Sequence, residues 1–137
     1  MTLRRILDAL GGAVKAKKLT IKDEDLTEAA LTQEFAMGSL PAGAIVLGYD
    51  VNVKEAFAGT TTLVVDLGDG GGAEYADDVD LKTAARSSAM IAEANSDGNG
   101  VDVTALVTAT VEDVVDASAG EVDVRVFYIE SDQIPVK

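Results

Sequence analysis

The residues best suited to chemistry lie between positions 66 and 78, DLGDGGGAEYADD, where five carboxylates surround a glycine cluster. A glycine-rich turn after a strand can cradle a phosphate when a lysine or a helix N-terminus follows. Neither follows here, and the carboxylates would repel a phosphate. Clustered carboxylates suit Ca²⁺ better, but the spacing does not match the helix–loop–helix calcium pattern. We therefore expect a hairpin loop without a metal or cofactor, and calcium binding stays open as the alternative.

Catalysis is poorly supported by the rest of the composition, since the chain contains neither histidine nor cysteine. Thiolate nucleophiles, histidine acid–base pairs and most zinc sites are thereby excluded. Ser87 and Ser88 have only Lys82 nearby in the sequence as a possible base. With 24 acidic residues, carboxylate pairs arise by chance, and six aromatic residues do not suggest a sugar-binding cleft. We predict no catalytic residues and no enzymatic activity.

The net charge of −13 is unevenly distributed along the chain. Residues 1–22 carry six basic side chains against Asp8, whereas the remainder carries five basic and 23 acidic ones. An acidic body repels phosphate backbones, so nucleic acid is not an expected partner. No apolar run is long enough to span a bilayer, so no membrane partner is expected either.

The N-terminal segment differs from the rest in pattern as well as in charge. Its apolar residues recur at helical spacing, and Gly11 follows them, which predicts a short amphipathic helix over residues 2–10. We divide the chain into a basic helical arm, residues 1–18, and a β-sandwich domain, residues 19–137. The arm residues predicted to bind a partner are Leu3, Arg4, Arg5, Ile6, Leu7, Leu10, Lys15, Lys17 and Lys18.

From residue 19 onward the hydrophobic pattern has period two, which indicates half-buried strands. The longest alternation runs over residues 45–54 and places Ile45, Leu47, Tyr49, Val51 and Val53 on one face. Alternation over residues 101–111 and 122–128 predicts two further strands, and shorter strands fit residues 28–37, 61–67 and 86–94. Turn signals separate these runs, without intervening helices. The predicted fold is mainly β, an antiparallel, jelly-roll-like β-sandwich preceded by the helical arm.

Residues 27–130 contain a series of motifs in fixed order. These motifs are Leu40-Pro41-Ala42-Gly43, Lys54-Glu55-Ala56-Phe57, Gly59-Thr60-Thr61, Tyr75, Asp80-Leu81-Lys82-Thr83-Ala84, a threonine-rich strand (104–110) and a Val-x-Val-x-Tyr strand (124–128). In these motifs the chain resembles a family of small structural proteins of tailed bacteriophages, the head-decoration (cement) and head-fibre-like β-proteins. The basic arm and the unusually acidic loop depart from the family pattern.

This resemblance implies a non-enzymatic virion protein on the exterior of the capsid, made in the cytoplasm of a bacterial host. The implied partners are the major capsid protein and further copies of the same chain, with a trimer favoured. The arm is the segment expected to dock onto an acidic capsid surface, or alternatively to pack on its own oligomer. Two other functions stay open: a tail, neck or fibre-base subunit, and a calcium-assisted module that binds carbohydrate or a cell surface.

Overall fold

The computed structural model describes residues 14–91 and 101–130, which form eight β-strands. The predicted helix over residues 2–10 lies outside these residues. The strands are β1 (Lys15–Lys22), β2 (Thr32–Ser39), β3 (Ala44–Glu55), β4 (Val64–Asp69), β5 (Ala76–Asp80), β6 (Arg86–Met90), β7 (Asp102–Thr108) and β8 (Glu121–Glu130). Two short 3₁₀ turns, Asp23–Asp25 and Val114–Asp116, are the only helical elements of the described residues.

The strands pair in a nested order, which confirms the predicted antiparallel sandwich. Sheet A has the order β1-β8-β3-β6 and sheet B the order β2-β7-β4-β5. The first strand therefore pairs with the last and the second with the seventh, as in a long hairpin rolled into an eight-stranded jelly roll. Lys15 and Glu130 lie at one end of sheet A, which we call the terminal end; Lys22 and Glu121 lie at the opposite end.

The alternating apolar residues of both sheets fill one continuous core between them. In sheet A, the register places Ile21 beside Val122 and Leu19 beside Val124. In sheet B, Val65 lies beside both Val79 and Val107. β-Branched side chains dominate because they pack well on a pleated surface that is half buried.

The longest predicted alternation, over residues 45–54, is wrong at its N-terminal third. A β-bulge in β3 shifts the register against β8 between Val46 and Gly48. One extra residue reverses the faces that precede it. Val46 is consequently buried in the core, while Ile45 lies on the outer face opposite Ile129. Tyr49, Val51 and Val53 lie on the inner face of the sheet, as predicted.

Two strand boundaries also differ from the sequence expectations. β1 begins at Lys15, four residues before the expected start of the sandwich at residue 19, because pairing with β8 continues to the register pair Lys15 and Tyr128. β5 was not predicted, since its sequence ADDVD contains three aspartates, which are depleted in strands. Its pairing with β4 holds it in the sheet and makes the predicted hairpin.

Candidate functional site

The glycine cluster connects β4 to β5, and its backbone donors are used inside the protein. The N–H of Gly70 donates to the carbonyl of Asp102 at 3.1 Å, and the N–H of Gly71 donates to Thr104 Oγ1 at 2.7 Å. The N–H of Gly72 donates to the carbonyl of Asp69 at 3.0 Å. Since these three donors face the chain's own oxygens, they do not form a cradle for a phosphate. The segment is a hairpin loop that folds over the outer face of sheet B.

Three carboxylates lie together beside this hairpin, those of Asp66, Asp77 and Asp78, with one oxygen of each within 4.8 Å of the others. Asp66 Oδ1 already accepts the N–H of Asp78 at 2.7 Å, where Asp78 has a positive φ of 52°. Burial, and then the neighbouring charges of Asp78 and Asp77, raise the pKa of Asp66. The cluster is thus explained as a local feature of the bulge between β4 and β5, and we assign no metal to it.

A groove of about 350 Å³ opens between the edges of the two sheets, where β6 and β5 face each other. Its lining includes Tyr49, Asp78, Asp80, Arg86 and Ser87. The Ser87 hydroxyl lies 3.4 Å from the Tyr49 hydroxyl, which is a phenol and not a base. A nucleophile needs an adjacent general base to be activated. The contact between Ser87 and Tyr49 does not supply that base, and we assign no catalytic residue to the groove.

Several charged residues on the outer face of sheet A are paired with one another. Arg86 binds Asp50 through two parallel hydrogen bonds, Nε to Oδ1 at 3.0 Å and a second guanidinium nitrogen to Oδ2 at 3.1 Å. Thr20 Oγ1 donates to Asp123 Oδ1 at 2.6 Å, and Lys54 Nζ lies 2.9 Å from Asp123 Oδ2. The hydrogen bond from Thr20, followed by the contact with Lys54, lowers the pKa of Asp123.

Sheet B has a very different charge. Its four strands contain seven acidic residues and no basic residue, whereas the strands of sheet A contain seven basic and five acidic ones. The acidic residues of sheet B are Glu34, Asp66, Asp69, Asp77, Asp78, Asp80 and Asp102. Within the sandwich, most of the negative electrostatic potential therefore lies on sheet B.

The outer face of sheet A becomes apolar toward the terminal end. By strand alternation and register, this apolar patch comprises Ala16, Ile45, Phe127, Ile129 and Met90. Met90 is 47% exposed, whereas Ile129 is only 2% exposed. The sequence held a signal for the patch, because the outer residues of β8 change from Asp123 and Arg125 to Phe127 and Ile129.

The predicted partner-binding residues are divided by the structure. Leu3, Arg4, Arg5, Ile6, Leu7 and Leu10 lie outside the described residues. Lys15, Lys17 and Lys18 lie in β1.

Of these three lysines, two make contacts within the sandwich. Lys15 Nζ lies 2.8 Å from Glu130 Oε1, and Lys17 Nζ is 5.8 Å from the centre of the Tyr128 ring. Lys18 is exposed on the outer face of sheet A, directly opposite Arg125. Fewer lysines of β1 are therefore available to a partner than the sequence predicted.

Three solved structures share this fold over most of their length. A chain of the capsid asymmetric unit of cyanophage Pam1 is 24% identical, with a TM-score of 0.56 over 88% of this chain and 86% of that chain. A chain of the acid-stable capsid of Helicobacter pylori bacteriophage KHP30 is 14% identical, with a TM-score of 0.56 over 88% and 90%. A chain of the capsid of Ralstonia phage GP4 is 19% identical, with a TM-score of 0.57 over 87% and 85%.

At these identities the likeness establishes the class of fold, a compact antiparallel jelly roll. No protein-family model and no curated protein matches the sequence. Within residues 14–91 and 101–130, no helix combines the length and the hydropathy needed to traverse a bilayer.

Proposed function

We propose that this chain is a non-enzymatic structural protein of a tailed-phage virion, and specifically a capsid decoration protein. The observation that carries the proposal is the shared fold with chains from three phage capsids, which covers 85–90% of those chains. The same alignments cover 87–88% of this chain. The motifs between residues 27 and 130 support the same role independently.

In this role the chain would bind on the exterior of the head, where several subunits of the major capsid protein meet. A protein that binds only the assembled lattice stabilises that lattice by mass action. Several copies joined in one oligomer, for which we propose a trimer, would bind more tightly through their effective concentration. The solid core between the two sheets suits this task, because a rigid body loses little conformational entropy when it binds.

The proposed capsid contact is the basic N-terminal arm. Arg4 and Arg5 provide charge outside the sandwich, and Lys18 extends the basic surface onto β1. We propose that this surface meets acidic residues of the major capsid protein. Lys15 and Lys17 contribute less than expected, because Glu130 and Tyr128 already contact their ammonium groups.

Binding to purified shells tests the proposal. Shells assembled from the major capsid protein of the same genome are mixed with this chain, and co-sedimentation gives the occupancy. We expect saturable binding, a higher unfolding temperature of the shell and density on the shell exterior by cryo-electron microscopy. Absence of binding to shells, or location on a tail or neck in intact particles, would overturn the decoration role.

A truncated variant tests the arm within the same assay. The deletion should stop at residue 13, because Lys15–Lys22 form β1 and a longer deletion would disrupt sheet A. We expect the variant to fold with an unchanged β-sheet spectrum and to lose most of its occupancy on shells. Full occupancy at unchanged affinity would refute the arm as the docking segment.

A further inference from the structure

The apolar patch on sheet A has an unusual member, Ile129. Its neighbour Tyr128 faces the core, so alternation along β8 places Ile129 on the outer face of the sheet, opposite Ile45. Ile129 is nevertheless only 2% exposed, while Met90 at the far edge of the same patch is 47% exposed. The described strands form two layers only, with sheet B on the other side. An outward isoleucine that is so well covered indicates a further element on this face.

We propose that residues 1–13 of the same chain cover the apolar patch. The chain enters β1 at the terminal end, where Lys15 pairs with Tyr128, immediately beside the patch. Residues 11–13 can span at most about 10 Å when extended, so the segment that precedes them must begin near this edge of sheet A.

The dimensions of the segment fit the face that it would cover. A helix over residues 2–10 would be about 13 Å long. The strands of a sheet are about 4.8 Å apart, so the distance from β1 across β8 and β3 to β6 is about 14 Å. The helix can therefore lie across all four strands of sheet A, from Ala16 in β1 to Met90 in β6.

The two sides of the arm would then have separate tasks. In a helix over residues 2–10, the spacing would place Leu3, Ile6, Leu7 and Leu10 in one stripe, which would pack on Phe127 and Ile129. Arg4 and Arg5 would then lie on the remaining sides, in solvent, on the same layer as Lys18 and Arg125. This inference rests on the proposed function, in which the arm contacts the capsid. It adds that the apolar side of the arm packs on sheet A of the same chain, so that the basic side remains available to the partner.

Cross-linking of the isolated full-length protein tests the proposal, and the absence of native cysteine makes the test clean. The variant Leu7→Cys/Met90→Cys is treated with a short bismaleimide and compared with Leu7→Cys/Ser39→Cys. Ser39 is also exposed at the terminal end, on β2 beside β1. A free arm would reach Ser39 at least as readily as Met90, which β8 and β3 separate from β1.

We expect the Met90 pair to give mostly an intramolecular product with a shifted mobility at monomer mass, and the Ser39 pair to give little. Equal yields, or a higher yield with Ser39, would overturn the proposal. A product at dimer mass would also overturn it, because a second copy would then supply the arm. Phe127→Ser provides an independent readout, since trypsin cleavage after Arg4 and Arg5 should then become roughly tenfold faster if that cleavage tracks the undocked population.

Unchanged cleavage in a folded Phe127→Ser protein would contradict docking on this patch. These measurements use no shells, so their failure is distinct from a failure of shell binding. A docked arm on a protein that ignores shells would leave this inference intact and remove only the decoration role.

Discussion

The two sheets of the sandwich are alike on the inside and different on the outside. Both present valine-rich inner faces to one core, with Val124 in sheet A and Val107 in sheet B fully buried. On the outside, sheet A combines paired charges with an apolar patch, whereas sheet B carries acidic residues without a basic one in its strands.

This difference separates the requirements of folding from those of contact. The inner faces supply the hydrophobic core of the fold. An acidic outer layer keeps a protein soluble and repels like-charged surfaces. The outer face of sheet A, which has an apolar end and several paired charges, is better suited to contact another element. We therefore expect substitutions inside the two sheets to behave alike and substitutions outside to behave differently.

The largest effects should come from the core, and they should be equal in the two sheets. Ile21 in sheet A and Leu67 in sheet B are both fully buried. Ile21→Ala and Leu67→Ala should each lower the free energy of unfolding by about 2–5 kcal/mol, through lost burial and a residual cavity. Urea denaturation followed by circular dichroism measures both. A cost confined to one sheet would show that the two layers do not share one cooperative core.

Lysine substitutions on the outer faces should separate the sheets. Phe127 lies in the apolar patch of sheet A, and Leu106 lies on sheet B between Glu34 and Asp66 in register. Phe127→Lys should cost about 1–3 kcal/mol of unfolding free energy, while Leu106→Lys should change it by no more than about 0.5 kcal/mol. Urea midpoints at constant m-value give the comparison. Equal costs for the two variants would contradict the asymmetry.

The ion pair on sheet A should show the penalty of an unpaired charge. Asp50 is 7% exposed, and Arg86 is its bidentate partner. Arg86→Ala should lower the unfolding temperature, because it leaves a carboxylate that is poorly solvated. The double variant Arg86→Ala/Asp50→Asn should recover most of the loss, since the charge is then gone. No recovery in the thermal scan would indicate that Arg86 acts through packing instead.

The smallest effects should be opposite in sign on the two sheets. The pKa of Asp123 is lowered in the folded state, so its stabilisation is present above about pH 4 and is lost as the pH falls below that value. The pKa of Asp66 is raised, so its penalty is present at neutral pH and disappears upon acidification. After allowance for solvent screening, Asp123→Asn should cost and Asp66→Asn should gain about 0.5 kcal/mol at pH 7.

The control for Asp123→Asn and Asp66→Asn is the pH dependence of their unfolding free energies. Urea titrations repeated at decreasing pH should bring Asp66→Asn toward the wild-type stability by about pH 3, below the ordinary pKa of an aspartate. Asp123→Asn should converge on the wild type only at a still lower pH, because the folded pKa of Asp123 is lowered. Effects of the same sign at pH 7, or differences that do not shrink in acid, would contradict the assigned causes of the two pKa shifts.

Alternation in the sequence predicted the class of fold, since β3, β7 and β8 all carry a clear period of two. The assignment of faces from alternation failed at the bulge between Val46 and Gly48, where one extra residue shifts the register. A bulge has no reliable sequence signal. Alternation also missed β5, whose aspartates are held in the sheet only by pairing with β4. Glycines at 70–72 were correctly predicted to form a hairpin loop.

The surface of sheet A shows the other limit of sequence reasoning. Phe127 and Ile129 could be assigned to the polar face of β8 from alternation, but their neighbours Ile45 and Met90 are brought there by strands from distant parts of the chain. Long-range pairing is a property of the whole topology. The patch could therefore be recognised only once the strand order was known.

The nested strand order has a consequence for how the protein is made. β8 is the last of the described strands and lies between β1 and β3, and Lys15 pairs with Tyr128 across 113 residues of sequence. A growing polypeptide thus lacks the centre of sheet A until β8 has left the ribosome. Contacts between such distant residues form slowly, and a partly synthesised chain exposes unpaired edges that can aggregate. Sheet A cannot be completed before β8 has been synthesised, so a ribosome that stalls before β8 leaves β1 and β3 without the strand that joins them.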